Sequence, residues 1–139
     1  MAIKNYSFGI STKGFTDIRD ISEKVLEFIN NSGIKNGSVL VYSPGSTCGI
    51  TTLEFEPGCV RDLKQYFERA APEDDNYAHN ERWGDGNGFS HVRAAMTKSF
   101  FQFPVIDSIP VLGTWQQIIF IDFDNKSRNR EIIVQIQGE

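Results

Sequence analysis

Two histidines, His79 and His91, flank a glycine-rich segment that also carries Asp85 and Asn87. Side chains of these types bind metal ions, and a histidine also takes up or releases a proton near neutral pH. The histidines are twelve residues apart, which matches no compact zinc motif. The chemical interpretation is a metal site at His79, Asp85 and His91, or an acid–base pair formed by Asp85 and His91. The structural alternative is that one histidine caps loop backbone and the other begins a helix.

A second candidate is the segment Pro44-Gly45-Ser46-Thr47-Cys48-Gly49, which follows a predicted strand. Ser46 and Thr47 carry hydroxyl groups, and the neighbouring glycines let the backbone approach a ligand closely. These features indicate a site for a phosphate or a carboxylate, with an ordinary turn between strands as the alternative. The glycines at 84–88 are not a P-loop, because no Gly-Lys-Ser/Thr sequence follows them.

A third candidate is the segment Leu112-Gly113-Thr114-Trp115-Gln116-Gln117, at the start of a strongly β-prone run. Trp115 can stack on a planar ligand, or it can pack in the core, as aromatic residues that enter strands commonly do. Glu54 stands between Leu53 and Phe55, so its carboxylate is either partly buried beside a partner or turned outward to water.

The elements that must position these residues follow from the apolar pattern. Helical spacing predicts two main helices, one over residues 20–32 and one between Pro57 and Pro72. Alternating or β-branched runs predict strands at residues 3–12, 15–18, 38–42 and 49–55. Residues 72–91 lack periodicity and are predicted to form a long loop, with a short helix from His91 to Met96.

The last third of the chain predicts a meander of antiparallel hairpins. Its strands are expected at residues 99–105, 109–112, 115–123 and 131–137. The segment from Asp124 to Asn129 is predicted to join the last two strands as a hairpin loop, with Lys126, Arg128 and Arg130 in solvent. The fold class is therefore α+β, an antiparallel β-sandwich or mixed sheet with two main helices packed on it.

Composition sets limits on function. A chain of 139 residues with 40% hydrophobic residues predicts a single domain over residues 1–139. The net charge of −4 disfavours general electrostatic binding of nucleic acid or of an anionic membrane. No apolar run approaches the ~20 residues of a membrane span, and the N-terminus lacks a signal peptide, so we expect a cytoplasmic protein. Two isolated cysteines form neither a disulfide framework nor a zinc ribbon.

Five segments of the chain occur together in an informative order and spacing. They are Ser43 to Thr47, Thr52 to Glu54, Tyr77 to His91, Leu112 to Gln116 and Val134 to Gly138. In these segments the chain resembles the YjbQ-like family, also called the secondary thiamine-phosphate synthase family. Many members carry a histidine where this chain has Gly45. A mechanism centred on that histidine is unavailable here, and a glycine better suits backbone and hydroxyl binding of an anion.

The resemblance implies a YjbQ-like α+β domain with an antiparallel β-sandwich, assembled as a homotrimer. It also implies a weak transferase activity that joins a pyrimidine methyl diphosphate to a thiazole phosphate with loss of pyrophosphate. The implied catalytic residues are Asp85 and His91, and His79, Asp85 and His91 would hold Mg²⁺ or Zn²⁺. The implied substrate-binding residues are Ser46, Thr47, Glu54, Asn87, Thr114, Trp115 and Gln116.

Three functional hypotheses follow for this cluster of residues. The first is a transferase that acts on phosphorylated heterocycles through a phosphate- or metal-binding cleft. The second is a non-catalytic trimer that binds a phosphorylated metabolite, another anion or a metal, which the loss of a side chain at Gly45 favours. The third is a metal-dependent hydrolase, which requires His79, Asp85 and His91 to converge on one ion.

Overall fold

The computed structural model describes residues 1–139, which form eight strands and four helices. The strands are β1 (Ala2–Thr12), β2 (Asp17–Asp20), β3 (Gly37–Tyr42), β4 (Cys48–Leu53), β5 (Phe100–Ile106), β6 (Ile109–Pro110), β7 (Gln117–Asp122) and β8 (Arg128–Gly138). The helices are α1 (Ser22–Ser32), α2 (Pro57–Ala70), α3 (Ala78–Trp83) and α4 (Gly88–Thr97). No helix is long and apolar enough to cross a membrane.

The strands form two antiparallel sheets. The larger sheet has the order β1-β8-β3-β5-β6, and the smaller one has the order β2-β7-β4. In the larger sheet β1 pairs with β8 along its whole length, from Ala2 opposite Gly138 to Thr12 opposite Arg128. In the smaller sheet Asp122, at the end of β7, lies opposite Cys48 of β4. The fold therefore brings the end of β7 and the start of β8 to the same edge of the molecule.

The small sheet is buried on both faces. One face packs with α1 against the large sheet in a core that includes Ile118 and Phe120. The other face packs against α2 and α4 in a second core that includes Ile119, Ile121 and Phe123. This two-sided burial explains why β7 is continuously apolar and does not alternate, since no side of the strand meets water.

The predicted α+β class with antiparallel sheets is confirmed, and the two main helices form as predicted, as α1 and α2. The predicted short helix from His91 to Met96 is α4, which begins three residues earlier than expected, and α3 is an additional helix inside the predicted long loop. The loop prediction failed because α3 has only six residues, AHNERW, and these show no apolar stripe. Gly84 ends α3 in a left-handed conformation, and α4 begins after Asn87, three residues later.

The predicted hairpin between the last two strands is also wrong. β7 belongs to the small sheet and β8 to the large one, so residues 124–129 cross from one sheet to the other. The long strand β8 pairs with β1 and β3, which come from the first third of the chain. Sequence proximity favours a hairpin, whereas the long-range pairing buries the apolar face of β8 more completely.

A buried arginine fixes helix α4, which carries His91. The side chain of Arg93 is 2% exposed and donates hydrogen bonds to Ala71 O at 2.9 Å and to Thr16 Oγ1 at 2.8 Å. It also forms an ion pair with Glu68 at 2.7 Å, and its guanidinium lies 5.0 Å from the ring centre of Phe89. These contacts hold α4 against the end of α2 and the loop before β2.

We expect Arg93→Met to lower the free energy of unfolding by about 3 kcal/mol, because buried acceptors lose their donors. Urea unfolding at pH 7 measures the change. Arg82→Met is the matched control, since Arg82 is exposed and its guanidinium contacts only the ring of Trp83 among the charged and aromatic groups. Equal stability of the Arg93 variant and the wild type would contradict the role of Arg93 in holding α4 against α2.

Candidate functional site

An open polar cleft of about 460 Å³ lies at the edge where β7 ends and β8 begins. The β3–β4 loop, helix α3, the start of α4 and the crossing between the sheets form its walls. Trp83 is the one hydrophobic side chain among the lining residues. The lining residues are Gly45, Ser46, Thr47, His79, Trp83, Asp85, Asn87, His91, Asp124, Arg128 and Arg130.

Strand alternation places two aspartates opposite two arginines at this edge. In β8 the inward positions Ile132, Val134 and Ile136 are buried, and the same period of two continues outward to Arg130 and Arg128. In β7 the inward positions Ile118 and Phe120 lead to Asp122 and then to Asp124. The charged side chains thus continue the interior faces of their strands, and they meet where the apolar core ends.

Asp122 and Arg130 form a buried, two-point ion pair between the sheets. Asp122 is fully buried, and the Arg130 side chain is 12% exposed. Arg130 donates from Nε to Asp122 Oδ2 at 2.8 Å and from Nη2 to Asp122 Oδ1 at 3.0 Å. The hydrogen bonds to Asp122 raise the pKa of Arg130 further above its usual value. The same Nη2 donates to Thr47 Oγ1 at 2.7 Å, which fixes the β3–β4 loop on the pair.

Asp124 connects the remaining walls of the cleft. Its carboxylate accepts hydrogen bonds from Thr47 Oγ1 at 3.1 Å, from Asn87 Nδ2 at 3.2 Å and from Arg128 Nε at 3.0 Å. Burial opposes ionisation of this carboxyl. The hydrogen bonds from Asn87, from the Asn125 amide and from Arg128 outweigh burial and hold the pKa of Asp124 below its usual value. Asp124 is therefore an ionised anchor for three separate segments.

The missing side chain at Gly45 leaves part of Arg130 open. A Cβ atom at Gly45 would lie 2.9 Å from Cys48 Sγ and 3.4 Å from Arg130 Nη1. The hydrogen bonds of Arg130 use Nε and Nη2, so Nη1 remains as a free donor on the cleft side. Cys48 beneath it is buried, and burial raises the pKa of its thiol, which disfavours a thiolate nucleophile.

The two histidines meet in the cleft, as the metal and acid–base interpretations require. Their ring centres are 4.3 Å apart, with the ring planes inclined by 40°. Burial and the neighbouring His79 lower the pKa of His91, against weaker opposing effects of Asp124 and Asp85. The neutral form of His91 is therefore favoured, and its imidazole can accept a proton.

Unsatisfied hydrogen-bonding capacity is concentrated at this cleft. The two buried side-chain atoms without a partner are His79 Nδ1 and Asn87 Oδ1. His79 Nδ1 lies 3.5 Å from Asp85 Oδ1 but forms no hydrogen bond with it. Buried polar atoms are normally paired, so two unpaired atoms in one cleft mark a place where hydrogen bonds within the protein are missing.

The fit of these residues to a resident metal ion is incomplete. No group of three or more histidine, cysteine, aspartate or glutamate side chains is placed to hold an ion. His79 Nδ1 and Asp85 Oδ1 are separated as two ligands of one ion would be, since ligands about 2.1 Å from a tetrahedral ion are about 3.4 Å apart. His91 does not complete the set in this arrangement.

The structure brings together six of the ten residues that the sequence nominated. They are Ser46, Thr47, His79, Asp85, Asn87 and His91. The others, Glu54, Thr114, Trp115 and Gln116, do not line the cleft. They lie around the far end of the β4–β7 pair, where Leu53 is opposite Gln117. Five residues of extended chain, about 17 Å, separate that end from the cleft end.

The far cluster has clear structural roles. Gln116 donates to Thr52 Oγ1 at 3.2 Å and accepts from the Gly113 amide at 3.0 Å, so it fastens the loop before β7 to β4. Trp115 is 69% exposed, so the alternative in which it packs in the core is excluded for the single chain. Glu54 is exposed, as the outward alternative for its carboxylate predicted.

Sequence reasoning missed Trp83, Asp124, Arg128 and Arg130 as cleft residues. The basic cluster does not lie in a hairpin, and its expected exposure to solvent is correct for Lys126 and wrong for Arg130. A signal was present: the charged residues occupy the same alternating phase as the buried isoleucines and valines of their strands. The predicted hairpin placed residues 124–130 in a solvent-exposed turn. This alternation was therefore not extended to the charged residues.

Comparison with known proteins agrees with this architecture. The family model described as UPF0047 protein YjbQ-like matches residues 6–139. This chain belongs to the UPF0047 YjbQ-like family. A UPF0047 protein of Methanothermobacter thermautotrophicus is 34% identical over 139 residues, which is 100% of this chain and 95% of that protein. The UPF0047 protein YugU of Bacillus subtilis is 30% identical over 131 residues, 93% of this chain and 96% of that protein.

Solved structures of YjbQ-like proteins share the whole fold. The crystal structure of a YbjQ-like protein of unknown function from Sulfolobus solfataricus has a TM-score of 0.89 at 30% identity, covering 99% of this chain and 100% of that one. A protein from Aeropyrum pernix has a TM-score of 0.91 at 27% identity, covering 98% and 99%. The YjbQ-like fold expected from the sequence is therefore confirmed along the full length.

We expect Asp124→Asn to lower the free energy of unfolding by about 3 kcal/mol at pH 7, because the variant leaves buried donors without their carboxylate. The folded pKa of Asp124 lies below the ordinary 3.8, so its ionised form stabilises the fold above about pH 4. That stabilisation is lost as the pH falls through the folded pKa.

Urea unfolding of wild type and variant at pH 7 and at pH 3 tests this dependence. The difference between the two proteins should shrink at the lower pH. Asp74→Asn, in an exposed acidic segment, is the control and should leave stability unchanged at both values. A difference that is constant with pH would show that the ionisation of Asp124 does not couple to folding.

Proposed function

We propose that the cleft binds the phosphate groups of small heterocyclic metabolites and that the chain is a weak transferase of the thiamine-phosphate synthase type. The observation that carries this proposal is the convergence of Arg128, Arg130, His79 and His91 on one open cleft. Guanidinium and imidazole groups are the side chains that recognise phosphate most directly, through charge and several N–H donors. The hydroxyl of Ser46 adds a further donor on the same wall.

The charge balance of the cleft explains how an anion would be accepted. Asp122 and Asp124 neutralise the two arginines, so the site attracts an anion weakly while His91 is neutral. A phosphate bound beside His91 favours the charged imidazole and raises its pKa. His91 therefore gains a proton as the ligand binds, and phosphate affinity should fall as the pH rises.

The same proton gives His91 a role in group transfer. In the proposed reaction the bond between the pyrimidine methylene carbon and the diphosphate oxygen breaks, and the thiazole nitrogen forms the new bond to that carbon. The diphosphate departs with the bonding electron pair, and a protonated His91 can neutralise it. Asp85 stands beside His79 and favours the charged form of His91. General acid catalysis of this kind contributes about 10²–10⁴ in rate.

An aromatic surface for the ring is available at the rim. Trp83 ends helix α3 and is 65% exposed, and its ring lines the cleft. A heterocycle stacked on Trp83 would keep its phosphate within the polar interior. Trp83 would therefore have the stacking role that the sequence suggested for Trp115. Trp115 lies at the other end of the β4–β7 pair.

The proposed cofactor, Mg²⁺ or Zn²⁺, would enter with the diphosphate. Magnesium is commonly held by one or two carboxylates together with substrate phosphates, and it then needs no cage of protein ligands. Asp85 has the exposed carboxylate in the cleft, with half of its side chain accessible. Zn²⁺ is the alternative that the separation of His79 Nδ1 and Asp85 Oδ1 favours, and it would require His91 to move.

A titration of the chelator-treated protein tests the binding step. Thermal shift and calorimetry would use phosphate, pyrophosphate and thiamine phosphate, each with and without Mg²⁺ or Zn²⁺. A ligand at a hundred times its dissociation constant should stabilise the fold by about 2.7 kcal/mol. Arg128→Gln should weaken pyrophosphate binding at least tenfold. Arg19→Gln is the matched control, since both side chains are 39% exposed and both pair with an aspartate.

Turnover is then measured with a pyrimidine methyl diphosphate and a thiazole phosphate. His91→Gln should lower the rate of pyrophosphate release about a hundredfold while pyrophosphate still binds. Binding without turnover in the wild type would contradict the transferase and support a non-catalytic metabolite-binding protein. Release of phosphate in the absence of the thiazole would instead identify a hydrolase. No binding of any ligand would overturn the whole proposal.

We further propose that the protein works in the cytoplasm as a homotrimer. The supporting feature is the outward face of the large sheet on β3 and β8, where Tyr42 lies beside Ile133 and Leu40 beside Gln135. The outward positions that follow on β3 and β5, such as Leu40 and Gln102, carry no charge. Interface cores are depleted of charge in this way, and Glu131, at the next outward position of β8, would lie at the polar rim of the interface.

We expect Leu40→Lys to dissociate the trimer, because it places a desolvated ammonium at the centre of this face. Light scattering after size exclusion should give about three times 15.7 kDa for the wild type and the single-chain mass for the variant. Gln65→Lys, on the exposed surface of α2, is the control and should remain trimeric. A Leu40 variant that keeps the wild-type mass would exclude this face as the interface.

A further inference from the structure

A second cavity, of about 390 Å³, lies between helix α4 and the start of strand β5. It shares Ser46 and His91 with the polar cleft, so the imidazole stands in the common wall of two adjoining spaces. The remaining lining residues are Ala94, Ala95, Lys98, Ser99 and Phe100. We call this cavity the Lys98 groove. A reaction at His91 can therefore be approached from two sides.

The Lys98 groove differs from the cleft in chemistry. Its walls include two alanines of α4 and the ring of Phe100, which is 48% exposed. Lys98 is the one residue among them with a permanent charge, and no carboxylate lines the groove. A small aromatic ring with one anionic group matches this combination, because the ring covers the apolar wall and the ammonium pairs with the anion.

The strained backbone conformation of Lys98 is the strongest local evidence that this residue has a functional role. Lys98 follows helix α4 with φ of 76° and ψ of 155°, a region that is essentially restricted to glycine. A side chain here costs free energy, so glycine would suit the backbone better. The strain is maintained by hydrogen bonds from the Lys98 amide to Ala94 O at 2.9 Å and from the Ile50 amide to Lys98 O at 3.0 Å.

The side chain of Lys98 makes no polar contact within the chain. It is exposed, and its ammonium takes part in none of the ion pairs, side-chain hydrogen bonds or aromatic contacts of the chain. The chain thus holds a lysine where glycine is more stable and leaves its charge free at the edge of a groove. Strained residues of this kind cluster at ligand sites, where the position of the side chain matters.

We propose that the Lys98 groove is a second substrate subsite, which binds a heterocyclic monophosphate with its phosphate on Lys98 and its ring against Phe100. This inference rests on the proposed transferase function and assigns its two substrates to separate spaces. The diphosphate occupies the cleft at Arg128 and Arg130, and the acceptor occupies the groove. The acceptor nitrogen then meets the carbon that loses pyrophosphate beside Ser46 and His91, the two residues that line both spaces.

The test uses phenyl phosphate as a ring-bearing monophosphate probe, titrated by calorimetry with saturating pyrophosphate present to fill the cleft. Lys98→Gln keeps a side chain on the strained backbone but removes the charge, and it should weaken phenyl phosphate at least tenfold. Lys98→Gly should weaken it equally and should also raise the melting temperature by about 3 °C, because the strain is relieved. Lys64→Gln, an exposed lysine on α2, is the control and should change neither quantity.

The outcomes separate this inference from the proposed function. If Lys98→Gly is stabilised and binds phenyl phosphate as the wild type does, the lysine is merely strained and the subsite is overturned. If, without pyrophosphate, Arg128→Gln loses phenyl phosphate while Lys98→Gln keeps it, the probe sits in the cleft, and the subsite fails while the cleft proposal stands. If pyrophosphate does not bind and phenyl phosphate still depends on Lys98, the groove is upheld as a binding site and the proposed use of the cleft fails.

Discussion

The buried ion pair between Asp122 and Arg130 is the interaction on which the rest of the molecule depends. It joins the end of β7 in the small sheet to the start of β8 in the large one, at the point where the apolar core stops. Burying two charges is costly, and the cost is offset only when both ions are fully hydrogen-bonded in good geometry. Arg130 meets Asp122 at two points, and Thr12 from β1 donates to the same carboxylate. A shift of register in either strand would leave a buried charge unpaired.

The pair also organises the surface above it. Thr47 links Arg130 to Asp124, and Asp124 in turn holds Asn87 and Arg128, so one connected network fixes the β3–β4 loop, the start of α4 and the crossing between the sheets. These are the segments that form the cleft. Most of the charged groups there form ion pairs and hydrogen bonds within the protein. A ligand can bind only the donors and charges that this network leaves unpaired.

Those remaining groups have a common feature, which is a charge or a donor that the protein itself does not satisfy. The open guanidinium edge of Arg130 beneath Gly45 and the orphan nitrogen of His79 lie in the cleft. The unpaired ammonium of Lys98 borders the adjoining groove. Between the two spaces stands His91, whose charge is variable because burial lowers the pKa of the imidazole and a nearby anion raises it. The two cavities thus share one titratable group.

The sequence by itself determined the family, the α+β class and most strand positions, because alternation and β-branched runs are local properties that survive without tertiary context. It also nominated the histidine segment and Ser46-Thr47, which the structure brings into one cleft. Only the tertiary structure decided that Asp122 and Asp124 face Arg128 and Arg130, since β7 and β8 are adjacent in sequence but belong to different sheets. It alone separated Trp115 and Glu54 from the cleft, because the length of a strand pair lies between them. Periodicity fixes which side of a strand a residue occupies, whereas long-range pairing decides what that side meets.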